Sequence, residues 1–240
     1  MPLKQKKEAD LYYTEETYDI KCFDEDTATS EQILEYTEKV RKNQVKCHLP
    51  PCGRCNTETE EFKRHEARQR QFYVIAGDMV KVILGLLIRW KCPGCNKTST
   101  GYPDFAVPYK RYTVPTIKKY SSLYTEDHQT TYRKVILKNI IGYPDSELQL
   151  NHTSIHRWIT SLGNYSKVIR TAQDLYLQAK PESGICRELA SLSIPSKKFR
   201  TQERKSILQR CRQLLKIEIK FRSIFNASIF PHLATKCGFN

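Results

Sequence analysis

Two cysteine thiolates spaced two residues apart can reach one metal ion when the backbone turns tightly between them. The sequence provides this twice, as Cys52-Gly53-Arg54-Cys55 and Cys92-Pro93-Gly94-Cys95. Gly53, Pro93 and Gly94 suit such turns, and four sulfur ligands in a closed tetrahedron are what a structural zinc ion takes. One Zn2+ held by Cys52, Cys55, Cys92 and Cys95 is therefore expected, each pair forming one knuckle of a zinc ribbon. The 36 residues between the pairs exceed the common ~15–20, so the intervening hairpin must be extended. Cys47 and His48 lie just upstream. Either could substitute as a ligand, or both could flank the knuckle without coordinating. Cys22, Cys186, Cys211 and Cys237 have no partner at metal spacing, and Cys211 falls on an apolar helix face.

A second stretch with chemical potential runs from Asn151 to Gly163. Ile155, Trp158, Ile159 and Leu162 recur at i, i+3, i+4 and i+7, which predicts one buried helical stripe. Asn151 or Thr153 can cap its start and Gly163 its end. The opposite side carries Thr153, Arg157 and Thr160, flanked by Ser154, His156 and Ser161. Arginine binds guanine bidentately, and serine or threonine serves bases or phosphates. Thr153, Ser154, His156, Arg157 and Thr160 are thus candidate DNA contacts. A preceding helix, Tyr132–Ile141 with Gly142 at its end, would brace the reader as in a helix-turn-helix. The connection Gly142–Leu150 is longer than the usual ~3–4-residue turn. The same periodicity also fits an ordinary amphipathic helix with a wet face. His152 and His156 stand at i, i+4, but without the glutamate of a metalloprotease pair.

The remaining elements must position these two groups. A short helix is expected from Ser30 or Glu31, with Ile33, Leu34, Val40 and Thr37 along one side and Pro50-Pro51 as its stop. Gln71–Ile75 and Met79–Trp90, with Ala76-Gly77-Asp78 between them, predict an antiparallel hairpin. Phe72, Tyr73 and Trp90 in it are core candidates, or base-stacking candidates if the ligand is RNA. After Pro115 the pattern turns helical. Pro181–Gly184 reads as a linker, and Thr201–Phe225 as a long basic helix. On that helix Ile207, Cys211, Leu214, Leu215 and Phe221 face inward. Arg204, Arg210, Arg212, Lys216, Lys220 and Arg222 face outward, and Arg212, Lys216 and Lys220 are the candidate phosphate contacts. The fold class expected is α+β. The division is an acidic segment 1–46, a zinc-ribbon domain 47–114, a helix-turn-helix-like domain 115–180 and a basic helical segment 181–240.

Charge follows the same division. The 240 residues carry a formal net charge of +14. Residues 1–60 hold 9 basic and 13 acidic side chains, while residues 61–240 hold 31 and 13. A basic body of this kind suits a polyanion, most often nucleic acid, although a solvated basic surface has the same composition. The 39% hydrophobic content suffices for a core. The longest apolar run, Met79–Trp90, contains Lys81 and Arg89 and falls short of the ~18 residues of a membrane span. The charged N-terminus does not read as a signal peptide. A reducing, cytoplasmic and nucleoid-associated setting is expected, where cysteines are metal ligands or free thiols.

Trp90-Lys91-Cys92-Pro93-Gly94-Cys95-Asn96-Lys97-Thr98, then Tyr102-Pro103-Asp104-Phe105 and Pro108-Tyr109-Lys110-Arg111-Tyr112, resembles a bacterial family with an N-terminal zinc ribbon associated with transposons. Ser154-Ile155-His156-Arg157-Trp158-Ile159 is similar to the helix-turn-helix stretch of some insertion-sequence transposases. Phe230-Pro231-His232 and Cys237-Gly238 also look like that family. The resemblance implies association with double-stranded DNA and, as protein partner, a transposase or recombinase. It supplies no reaction. No Gly-rich phosphate loop, nucleophile elbow or His-Glu-x-x-His is present. The 13 acids of residues 61–240 suggest no two-metal nuclease scaffold. A tyrosine recombinase would need a late tyrosine, and the last one is Tyr176. The expectation is a non-enzymatic, site-specific DNA-binding protein, an accessory factor or regulator. The alternative is a zinc-ribbon adaptor that binds a recombinase or polymerase. RNA is the lesser ligand, and no membrane is expected.

Overall fold

The computed structural model describes residues 21–76, 79–137 and 150–234. It is a mixed α and β structure with one small antiparallel sheet and several helices. Gly77, Asp78, Gly142 and Cys237 lie outside the described residues, as does all of 138–149. Among the described residues no helix is long and apolar enough to cross a membrane.

Helix α1 spans Lys21–Arg41, starting well before Ser30. Ile33, Thr37 and Val40, at i, i+4 and i+7, are buried, and the Thr37 hydroxyl donates to the Ile33 carbonyl. Leu34 is 55% exposed, because it sits about 100° around the helix from Ile33, and so it leaves the expected stripe. The helix ends well before Pro50-Pro51. Asn43 takes a left-handed φ of 58°, which lets the Gln44 N–H bond back to the Lys39 carbonyl at 2.8 Å.

The sheet is a three-stranded antiparallel meander in the order β1-β2-β3. Strand β1 (Lys63–Ala76) pairs with β2 (Met79–Lys91) along their length, with Phe72 opposite Ile83. The shift between Arg64 and Glu66 is the one irregularity in the pairing. Strand β3 (Thr98–Gly101) pairs only with Ile88–Lys91. The hairpin is longer than Gln71–Trp90 because β1 continues through the polar run Lys63–Arg70. Phe72 and Trp90 are buried and Tyr73 half-buried, so the first two are core. One small core joins Ile33 of α1 to Phe72, Val74, Leu87 and Phe105. A second joins Val40 to Phe62, Ile88, Trp90, Cys92 and Cys52.

The larger core belongs to the helices. These are α2 (Val114–Glu126), α3 (Tyr132–Leu137), α4 (His152–Leu162), α5 (Ser166–Ala179), α6 (Ile185–Ser191) and α7 (Gln202–Phe225). Helix α7 is central and buries Leu208, Cys211, Leu214, Leu215, Ile217, Glu218 and Phe221. Ile207 is only half-buried, one position outside that stripe, where it meets α4. The Thr201 hydroxyl caps the start by accepting from the Arg204 N–H, and Asn226 ends the helix at φ 48°. The buried Glu218 carboxylate accepts from the Ser228 hydroxyl and the Ile229 N–H, each at 2.9 Å, and so fixes the turn after the helix. Burial holds the Glu218 carboxyl above its usual range against these bonds.

A strap between β3 and α2 ties sheet to helices. The Tyr73 N–H donates to the Arg111 carbonyl, and the Val114 N–H to that of Phe105. Tyr112 then stacks edge-on against Tyr73 on one side and Trp158 of α4 on the other, with centroids 5.2 and 4.9 Å apart.

Candidate metal centre and basic face

The two Cys-x-x-Cys turns are built alike. In the first, the Asn56 N–H donates to the Cys52 carbonyl (2.8 Å) and the Cys52 N–H to the Thr57 carbonyl (2.9 Å). In the second, Asn96 and Cys92 make the matching bonds, with Lys97 in the place of Thr57, at 3.0 and 2.9 Å. Both turns close through an asparagine at positive φ, 53° at Asn56 and 58° at Asn96. Asparagine tolerates that region better than other non-glycine residues. The sequence signal for this was a repeated Cys-x-x-Cys-Asn.

The turns bring four sulfurs together. Cys52, Cys55, Cys92 and Cys95 have all their Sγ atoms within 4.8 Å of one another and could hold a metal ion. Cys52 and Cys95 are 3.5 Å apart, Cys55 and Cys92 3.4 Å. Cys52 and Cys92 are buried under Phe62 and Trp90, while Cys55 faces solvent. Cys92 and Cys95 are shifted in opposite directions. The Thr57 hydroxyl, ahead of the neighbouring N–H groups, pulls Cys92 down to about 6. Cys95 goes up to about 11: the Lys97 N–H lowers it, but burial and the three neighbouring sulfurs outweigh that bond. Gly94 is required by crowding, since a Cβ there would lie 2.6 Å from Thr57 Oγ1 and 3.1 Å from Cys55 Sγ. Cys47 and His48 are outside the cluster. Cys47 packs beside the smaller core, and His48 is exposed.

Helix α4 buries Ile155, Trp158, Ile159 and Leu162, as its periodicity predicts. Asn151 caps it, its side-chain oxygen accepting from the Thr153 N–H at 3.0 Å. Gly163 ends it at an ordinary φ of −68°, so no left-handed turn explains the glycine. Close packing does: a Cβ there would sit 2.3 Å from the Ile207 carbonyl oxygen of α7.

The candidate DNA contacts divide into two groups. Thr153, His156 and Arg157 are exposed on α4. Ser154 is half-buried, and the Thr160 hydroxyl is engaged, donating to the His156 carbonyl and accepting from Arg204. The Lys110 ammonium of the strap is held below its usual range by burial and then by the Arg157 charge. His156 is likewise lowered, first by burial, then by Arg204 and Arg157. Among the described residues no carboxylate pairs with Arg157, Lys110 or Arg111. The Arg111 guanidinium instead donates to the Tyr73 hydroxyl and lies over that ring. The strap's share of this face, Lys110 and Arg111, was not legible in advance, because only folding brings it beside α4.

The basic side of α7 differs from its expected outward display. Arg204 turns inward to Thr160 and the Tyr132 hydroxyl, and Arg210 donates to the Gly163 carbonyl at 2.6 Å. Both satisfy polar groups at the junction with α4 instead of facing water. Arg212 donates to the Ser193 carbonyl, and Lys216 and Lys220 share the single carboxylate of Glu188, each at 3.2 Å. Of the expected helix Tyr132–Ile141, α3 covers Tyr132–Leu137, and Tyr132 meets His156 of α4 edge-on. The short turn, however, follows α4: Gly163, Asn164 and Tyr165 alone separate it from α5.

Residues 52–158 match a family described as "Domain of unknown function (DUF6431)". The matched span opens on the first cysteine of the cluster and closes on Trp158, so it contains both the four sulfurs and the buried stripe of α4 down to that ring. No curated protein and no solved structure matches the chain.

Proposed function

We propose that this chain is a non-enzymatic, double-stranded DNA-binding protein whose sheet is held by one structural zinc ion. Its role is that of an accessory factor or regulator for a mobile element, and this last part rests on the family resemblance of the ribbon and α4 segments. The observation that carries DNA binding is the seating of the basic Lys110-Arg111 strap against α4, where Tyr112 packs on Trp158 next to the exposed Arg157. Lys110 and Arg157 lie on these adjoining segments, with no carboxylate partner for either among the described residues. Like charges so placed repel, and a phosphate backbone relieves the repulsion. Trp158, on the far side of α4, anchors the helix in the core, so Arg157 is presented on a rigid element. Thr153 and His156 flank it along the same exposed side and are the base-edge candidates.

Zinc is the metal the sulfur set fits best. A tetrahedral site with Zn–S bonds of about 2.3 Å has S···S edges of about 3.8 Å. The 3.4 and 3.5 Å pairs and the 4.8 Å limit bracket that value. Four thiolates leave no open position, so the ion supplies folding energy and no catalysis. Arg212, Lys216 and Lys220 give a second, weaker phosphate line, since two lysines sharing Glu188 retain one net positive charge.

The test is a binding selection from random duplex DNA with wild-type protein and Arg157→Ala. Base readout predicts that the variant loses preference at one position of the selected site. An unchanged preference with uniformly weaker binding rejects base readout and leaves a phosphate contact. No binding at low salt rejects the DNA reading and leaves the adaptor.

A further inference from the structure

The tip of the strap holds an aromatic residue where the backbone favours glycine. Val107, Pro108, Tyr109 and Lys110 form a turn closed by the Lys110 N–H on the Val107 carbonyl at 3.1 Å. Tyr109, its third residue, has a φ of 63°. A turn with proline second and positive φ third takes glycine or asparagine there. The four other described non-glycine residues at positive φ, Asn43, Asn56, Asn96 and Asn226, are all asparagines. Tyr109 has no such local compensation. Nor is its ring repaid by burial: it is 78% exposed, its one ring neighbour among the described residues being Tyr102, tilted at 6.3 Å.

The surroundings are cationic and well braced. Arg70 donates to the Lys110 carbonyl at 2.5 Å and lies over the Tyr102 ring at 5.6 Å, locking the turn to the sheet. Two residues on, Tyr112 packs on Trp158 with centroids 4.9 Å apart, which seats the strap beside Arg157 of α4. A strained, exposed, flat apolar ring thus stands beside the charges assigned above to the phosphate backbone.

We propose that Tyr109 is a stacking platform for one unpaired nucleobase of the DNA held at Lys110 and Arg157. The ligand would then be duplex DNA with a base displaced from its stack, such as a bulge, a mismatch or a frayed end. A ring on a turn cannot reach the face of a base inside an intact stack, whereas every displaced base offers one. This inference rests on the DNA-binding reading. It adds which DNA is preferred.

The experiment uses the full, metal-loaded chain and two duplexes, one fully paired and one with a single bulged 2-aminopurine. The wild type should bind the bulged duplex roughly tenfold more tightly, the order one base–aromatic stack supplies, and should quench the 2-aminopurine. Tyr109→Phe should keep both properties. Tyr109→Gly should lose both while raising the melting temperature, because glycine suits the turn, so a misfolded variant cannot mimic the result. Equal affinity of the wild type for the two duplexes, or quenching that persists in Tyr109→Gly, overturns the platform and leaves DNA binding standing. Failure of the wild type to bind either duplex at low salt overturns both.

Discussion

Arg157 and Trp158 are neighbours in sequence with opposite fates, which makes them a matched pair for mutation. Trp158 is 4% exposed and packs against Tyr112. Trp158→Ala should cost about 3–5 kcal/mol of stability, read from urea unfolding. Arg157→Ala should leave stability in urea within about 0.5 kcal/mol of wild type, since its side chain is exposed and holds no other element in place. His156 adds a pH signature. Its imidazole is held below the ordinary value by burial and by Arg204 and Arg157. Phosphates beside it would raise that value, so bound DNA should favour the protonated ring. Affinity should then strengthen as pH falls through the bound-state value toward the lower free-state one, with protons taken up on binding. His156→Gln should flatten that part of the profile in a fluorescence titration; an unchanged profile would mean that the ring stays away from phosphate.

Two glycines carry the predictions at the scale of elements. Gly163→Ala pushes a Cβ into the Ile207 carbonyl and must separate α4 from α7. A loss of about 1–3 kcal/mol in urea is expected, from overpacking against backbone. Gly94→Ala drives a methyl group against Thr57 and Cys55 within the second knuckle. Weaker metal retention in competition with a chromophoric chelator is expected, with the helical unit unaffected. Legibility in the sequence also divides by element. Helix α4, the length of α7 and the convergence of four cysteines were readable, because local periodicity and spacing carried them. The first half of β1 was not: Lys63–Arg70 has almost no apolar alternation, and it is a strand because β2 beside it supplies the apolar side chains. Strand β3 is four residues long and leans on Ile88–Lys91 alone. The inward turns of Arg204 and Arg210 were hidden for another reason. An arginine long enough to reach a neighbouring carbonyl or hydroxyl reads as solvent-facing until that neighbour is in place.

The sheet and the helices should respond differently to metal removal in the whole molecule. Cys52 and Cys92 lie in one small core with Val40, Phe62, Ile88 and Trp90. Stripping the ion should remove the cross-link between the two knuckles, leave largely reprotonated thiols in that core and loosen it. In a Trp158→Phe background the emission of Trp90 should shift to the red on chelation, while most helical circular dichroism persists. An unshifted emission would mean that the sheet stands without metal. The basic surplus beyond residue 60 acts at the same scale, through salt. The most direct measurement of the central claim is the affinity for a mixed-sequence duplex across a salt series, for wild type and for Lys110→Ala with Arg157→Ala. The slope of log affinity against log salt should flatten by about 0.9 for each phosphate no longer neutralised, close to 2 for the pair. An identical slope and affinity in the double variant would contradict the claim that this face holds DNA.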